Sequence, residues 1–247
     1  MPFDPLSFPQ RLWLGAVLVL WAALLFGGFI FGPTRENRRI PRWARMGSSL
    51  ILVIGAWSWW VFVRETEAGS YARWIAWGMT LGFIGDLALA HLLGLKGSRA
   101  IMGGMAAFAA GHLCYITGIL QARRLLQLTD ARAMWAALGI FWLVALMGWW
   151  GVVIRGAERR TLLHWAALPY ALLLATTAGL AAGLALQAPV FLPLAAGALL
   201  FLLSDLILAG ALFNDLAIPL IHDIVWLTYG PGQMLIVFST AALLARL

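Results

Sequence analysis

Val190 to Phe213 reads VFLPLAAGALLFLLSDLILAGALF, 24 residues with a single charged side chain, Asp205, and no alternation of polar and apolar positions. A hydrocarbon layer about 30 Å thick is crossed by about 20 apolar residues in a helix. Within that layer the backbone must satisfy its own hydrogen bonds, and an unbroken apolar run does so as a helix, not as a barrel strand of alternating polarity. Working outward, runs of similar length fall at Leu12 to Phe31, Met46 to Val63, Ala72 to Leu93, Ala100 to Leu120, Ala133 to Ile154, Leu162 to Leu186 and Ile218 to Ala245. The expected fold class is therefore all-α: a polytopic membrane protein of about eight transmembrane helices, with residues 1–247 forming one transmembrane helical domain.

Composition agrees. The chain is 63% hydrophobic and 11% charged, with a mean hydropathy of +0.89, where a soluble domain is about 25% charged. The net charge of +7 does not point to nucleic acid, because none of the 17 basic residues lies in the middle of an apolar run. Such residues read as topology signals and contacts to membrane lipids. Ten of them fall after the first, third and fifth runs, led by the arginines at 35, 38, 39, 42 and 45, against seven on the opposite side. The positive-inside rule then puts the arginine-rich face in the cytoplasm and both termini outside. Met1 to Pro5 lacks the basic region of a cleaved signal, so the first run is expected to be retained. Cys114, the one cysteine, reads as inert packing.

Small residues recur every fourth position at Gly78, Gly82 and Asp86, and at Gly103, Ala107, Gly111 and Tyr115, a spacing that lets helices approach closely. The first stripe ends on a carboxylate. A charged side chain at the centre of the bilayer costs at least ~2.5 kcal/mol and faces a bundle interior or cavity. Asp86 and Asp205 both lie ~20 Å into runs of the same direction, counted at ~1.5 Å per residue, so they can meet at one depth. His112, Tyr229, Gln233 and Ser204 also fall within their runs and complete a polar ring. His91, His164, His222 and Asp223 lie nearer the membrane faces, and no spacing of His or Cys supports a metal centre. The segments Gly85-Asp86-Leu87-Ala88-Leu89-Ala90 and Ser204-Asp205-Leu206-Ile207-Leu208-Ala209 resemble each other four helices apart, as a 4+4 repeat of parallel halves would.

Gly85-Asp86, Phe108-x-x-x-His112-x-x-Tyr115, Gly197-x-x-x-Phe201-x-x-Ser204-Asp205 with Phe213, and Tyr229-x-x-x-Gln233 together resemble the YhhN family, which includes the eukaryotic lysoplasmalogenases. The resemblance covers about Leu81 to Ser239. It departs from the family at Arg45-Met46-Gly47, where Lys-Pro is usual, and at Pro231, expected to break the last helix beside Tyr229. It implies a membrane hydrolase that cleaves the vinyl ether of lysoplasmalogens, with Asp86 and Asp205 as the catalytic pair. His112, Tyr115, Ser204, Tyr229 and Gln233 are expected to bind the lysophospholipid or tune the pair. No cofactor and no metal is implied, and a bacterial cytoplasmic membrane is the expected location.

Two carboxylates suit that chemistry. Vinyl ethers resist nucleophiles but cleave once the outer alkene carbon is protonated, so the reaction needs one acid and one base. Two carboxylates ~5 Å apart at an effective dielectric of ~20 repel by ~3 kcal/mol, which favours sharing one proton between them. The residues alone also admit a proton- or cation-coupled small-molecule transporter using the same aspartates. A third possibility is a purely structural ring of interhelical contacts.

Overall fold

A computed structural model describes residues 6–34, 37–214 and 216–247. Met1 to Pro5, Arg35 and Asp215, which entered the reading of the N-terminus, the arginine cluster and the last loop, lie outside the described residues. Among those described there are eight long helices, α1 Phe8–Phe31, α2 Arg42–Val63, α3 Gly69–Leu89, α4 Ser98–Leu125, α5 Ala131–Gly148, α6 Leu162–Gln187, α7 Leu192–Phe213 and α8 Ile221–Phe238, followed by a short α9, Thr240–Leu244. A π-helical segment, Trp149–Ile154, prolongs α5, and a 3-10 turn, Pro189–Phe191, leads into α7. The chain is a polytopic all-α membrane protein.

Seven of the helices are long and apolar enough to cross a membrane. α3 has the length, 21 residues, but carries Arg73, Asp86 and several glycines. It packs antiparallel to α4 along nearly its whole extent, from Trp74 beside Gly118 to Leu89 beside Gly104, and so covers the same thickness as its neighbour. Sequence hydropathy understates α3 because much of its surface is turned to other helices rather than to lipid: Tyr71, Ile75, Gly78, Met79, Gly82, Gly85 and Asp86 are all buried.

The glycines set that approach. A Cβ on Gly78 would enter the Tyr115 ring, and one on Gly111 would stand 2.9 Å from the Gly78 carbonyl oxygen. On α4 the buried stripe is Gly104, Phe108, Gly111, Tyr115 and Gly118, not the expected Gly103–Ala107–Gly111–Tyr115. With 3.6 residues per turn, a strict four-residue repeat drifts around the helix, and alternating steps of three and four keep one face. The same kind of contact recurs between α7 and α8, where a Cβ on Gly197 would lie 2.7 Å from the Gly232 carbonyl oxygen.

Two departures from expectation bear on the site. α3 stops at Leu89, four residues short of Leu93, because His91 takes a left-handed conformation (φ 60°) and the N–H groups of His91 and Leu92 turn back to Ala88 and Leu87. Pro231 does not break the last helix: α8 runs through it to Phe238. Helices in lipid tolerate the missing N–H where packed neighbours hold the segment. The break comes instead at Ser239, whose hydroxyl lies 2.5 Å from the Ile236 carbonyl and 2.6 Å from the Tyr71 hydroxyl.

The halves repeat each other's neighbour relations. α1–α2, α2–α3, α3–α4 and α2–α8 contacts have counterparts in α5–α6, α6–α7, α7–α8 and α6–α4, the pattern produced when each helix is matched to the one four positions later. Asp86 on α3 and Asp205 on α7 are equivalent in that scheme.

Candidate active site

α3 and α7 each present an aspartate to one cavity of about 630 Å³, framed by α2 through α8 and reaching the face where α2, α4, α6 and α8 begin. That is the arginine-rich face. Arg38, Arg42, Arg45, His91 and His222 line its mouth, and Val144, Leu174, Leu202 and Leu206 line an apolar arm between α5, α6 and α7. Counted along their helices, Asp86 lies ~4.5 Å and Asp205 ~12 Å from the helix end nearest this face. Asp86 therefore stands closer to the mouth than expected, because α3 ends early, whereas α7 ends at Phe213 as expected and leaves Asp205 where the sequence placed it.

Asp86 is 4% exposed. Its Oδ2 accepts from the Ser49 hydroxyl on α2 at 2.5 Å and from the Tyr229 hydroxyl on α8 at 3.0 Å, and among the described residues Oδ1 has no donor. Asp205 Oδ2 accepts a short hydrogen bond from the Tyr170 hydroxyl on α6. The Ser204 hydroxyl is 3.3 Å from Asp205 Oδ1 but 2.8 Å from the Phe201 carbonyl, which is the better acceptor. The repeat extends to these partners, since Ser49 on α2 serves Asp86 as Tyr170 on α6 serves Asp205. The two carboxylates are near enough to act on each other electrostatically.

Behind Asp86 runs a relay. The Tyr115 hydroxyl donates to Gln233 Oε1 at 2.7 Å, Gln233 Nε2 donates to the Tyr229 hydroxyl at 3.2 Å, and Tyr229 donates to Asp86. Each tyrosine hydroxyl in it donates once, so the chain of bonds runs in one direction toward Asp86. Gly82 makes room for it, since a Cβ there would lie 2.8 Å from Gln233 Nε2.

Of the residues expected to bind substrate, Tyr229 lines the cavity, whereas His112, Tyr115, Ser204 and Gln233 do not. Tyr115 and Gln233 stand behind it in the relay. His112 lies deeper, with its Nδ1 2.9 Å from the Thr177 hydroxyl, its ring against Phe201 at 4.5 Å and, among the described residues, no partner for its Nε2. Phe108, Phe201 and Tyr229 pack edge to face between that histidine and the cavity. His164 serves the membrane face instead, where its ring nitrogen closes the N-terminus of α6 at Thr161. Asp223 is not free for a metal, because it is 1% exposed and accepts the backbone N–H groups of Arg39 at 2.6 Å and Ile40 at 2.9 Å.

Sequence reading missed Ser49, Tyr170 and the arginine mouth. A serine on an apolar helix carries no distinguishing signal. Tyr170 carried one, since the chain has only four tyrosines, and three of them stand in this hydroxyl–carboxylate network.

Fold and cavity together define a polytopic helical membrane protein with an aspartate pair in an interior cavity that opens on its basic face. The profile of the YhhN family matches residues 42–240, and the chain belongs to that family. Comparison with curated proteins and with solved structures finds no match.

Proposed function

We propose that this chain is a membrane-embedded hydrolase that cleaves the vinyl ether of lysoplasmalogens, with Asp86 and Asp205 as its acid and base. The observation that carries the reading is the pair itself: two carboxylates on equivalent helices, each held by a hydroxyl donor, opening onto one largely apolar cavity. Membership of the YhhN family supports it.

One carboxylic acid protonates the outer alkene carbon, and the electron pair of that double bond forms the new C–H bond. The positive charge settles on the inner carbon and the ether oxygen as an oxocarbenium ion. The other carboxylate stabilises that ion and takes a proton from the water that attacks the inner carbon, the division of labour found in glycosidases. The hemiacetal then collapses to a fatty aldehyde and the glycerol hydroxyl, and the proton balance returns to the starting state. Ser49, Tyr170 and Tyr229 orient the carboxylates, and His112, Tyr115, Ser204 and Gln233 support the wall behind them.

The deciding experiment incubates purified protein in detergent with lysoplasmalogen and measures free aldehyde. Turnover is expected in detergent, where a carrier has no sealed compartment to work across. Absence of aldehyde from folded protein would remove the hydrolase assignment.

A further inference from the structure

Arg42, Arg45 and Ser49 follow one another on α2 at intervals of three and four residues and so share one face. Ser49 is the residue whose hydroxyl donates to Asp86. One helical turn toward the mouth, Arg45 lines the cavity beside Arg42, opposite His222 and Trp226 of α8. Both arginines stand in the first turn of a helix whose N-cap, Pro41, offers no side-chain acceptor. Basic groups at that end oppose the helix dipole, and the exposed N–H groups there favour an anion. Among the described residues neither arginine has a carboxylate partner. Among the described residues Arg45 Nε, itself buried, has no hydrogen-bond acceptor, and its guanidinium lies over the Trp226 ring at 5.7 Å. A guanidinium N–H left unpaired away from water is costly, and Asp223, the carboxylate that acts most on Arg45, is already taken up by the backbone N–H groups of Arg39 and Ile40, so the arginines here can still take an anion.

We infer that Arg42 and Arg45 hold the phosphate of the lysophospholipid, one helical turn from Asp86, an assignment that rests on reading the cavity as a lysophospholipid site. The guanidinium fork matches phosphate oxygens in pairs, which a point charge does not. One turn rises ~5.4 Å, about the reach of a three-carbon glycerol, so a phosphate at Arg45 sets the ether oxygen beside Asp86. Arg45 acts electrostatically first on Asp223 and then on Asp86. Beyond the aspartates the chain has the apolar arm lined by Val144, Leu174, Leu202 and Leu206. The arginines thus act as a ruler, and a neutral alkenylglycerol fills the arm but leaves Arg45 unpaired. The deeper residues, His112 and Gln233 among them, are too far from the mouth to serve the headgroup.

The test reads binding, not turnover. Full-length protein in detergent is titrated with a saturated ether lysophospholipid, with the 1-alkylglycerol of the same chain, and with inorganic phosphate, each competing against a labelled ether lysophospholipid. The phospholipid is expected to bind at least about tenfold tighter than the alkylglycerol, as paired charge-assisted hydrogen bonds imply. Arg42→Gln and Arg45→Gln should each remove most of that preference without weakening the alkylglycerol. Arg45→Lys, which keeps the charge and the fold but loses the fork, should retain part of it, and Arg124→Gln on the opposite face all of it. Equal affinity for the two lipids, or a preference that survives in the Arg42→Gln and Arg45→Gln variants, overturns the assignment. Arginine-dependent binding of inorganic phosphate that the phospholipid fails to displace also overturns it, in favour of a free anion. An intact arginine-dependent preference in a protein that releases no aldehyde would leave the phosphate site standing and refute the hydrolase reading alone.

Discussion

One carboxylate at the start of α8 ties down the segment that leads into α2. Asp223, in the first turn of α8, accepts the N–H groups of Arg39 and Ile40 just before α2 begins at Arg42. Nearby the Asn37 side chain donates to the Ile218 carbonyl at 3.2 Å and accepts the Leu220 N–H at 2.7 Å. Asp223→Ala removes two hydrogen bonds to a charged acceptor, ~1.5–3 kcal/mol each. Part of that loss is recovered by water at half-buried Arg39 but not at Ile40, which is 0% exposed. A net loss of about 3–4 kcal/mol follows. Asp223→Asn, which keeps one carbonyl acceptor and loses the charge, should cost about half as much. Thermal unfolding of the detergent-solubilised protein, followed by size-exclusion chromatography, should therefore rank wild type above Asn above Ala. Loss of affinity for ether lysophospholipid should follow the same order, because the loosened segment carries the arginines. An Asp223→Ala protein that melts with wild type would refute the latch.

Asp86→Asn and Asp205→Asn should each abolish aldehyde release from folded, extractable protein, and a wild-type rate in either would end the role of the pair. Tyr229→Phe takes one of two donors from Asp86 and leaves Gln233 Nε2 without an acceptor, so kcat should fall about tenfold or more; an unchanged rate would show that the relay only packs. His112→Ala should lower activity only in part, through the Phe201 wall, and complete loss would place the imidazole in the chemistry. Reporters fused after Arg45 and after Arg246 should appear on opposite membrane sides, and finding them on one side would contradict passage of α3 through the bilayer. Hydrolysis in heavy water should place one deuterium on the carbon next to the aldehyde, and heavy-oxygen water should label rapidly trapped aldehyde, not glycerol; label on glycerol would mean ester-like cleavage.

The helical class and the positions of most spans were legible because apolar run length is a direct demand of the bilayer. α3 shows where that signal thins. Its surface is turned to α2, α4 and α8 instead of lipid, so glycines, Arg73 and Asp86 dilute its hydropathy while close packing keeps it in place. The aspartates were legible for the same reason that makes them costly, as lone carboxylates in apolar runs have no ordinary use. Their partners were not, since Ser49 and Tyr170 become informative only when three-dimensional neighbours are known. The early stop of α3 at His91 was hidden too, being a matter of one left-handed residue.

Placement and burial work together in this cavity. Ser49 and Tyr229 both donate to the same oxygen of Asp86, leaving Oδ1 as the one that can meet a ligand. Tyr170 does the equivalent for Asp205 from the other half of the bundle. Each carboxyl group is thereby held through its Oδ2 by a hydroxyl donor. Arg42 and Arg45 line the same cavity nearer the mouth, where a phosphate would occupy them. A bound lysophospholipid would then screen the arginines from the aspartates and exclude water from the mouth, strengthening the interaction of the pair with an oxocarbenium ion formed between them. On this account the headgroup belongs to the chemistry as well as to recognition. Truncating it should lower kcat and not only raise KM, and an alkenylglycerol turned over with the kcat of the phospholipid would separate the two roles and refute the coupling.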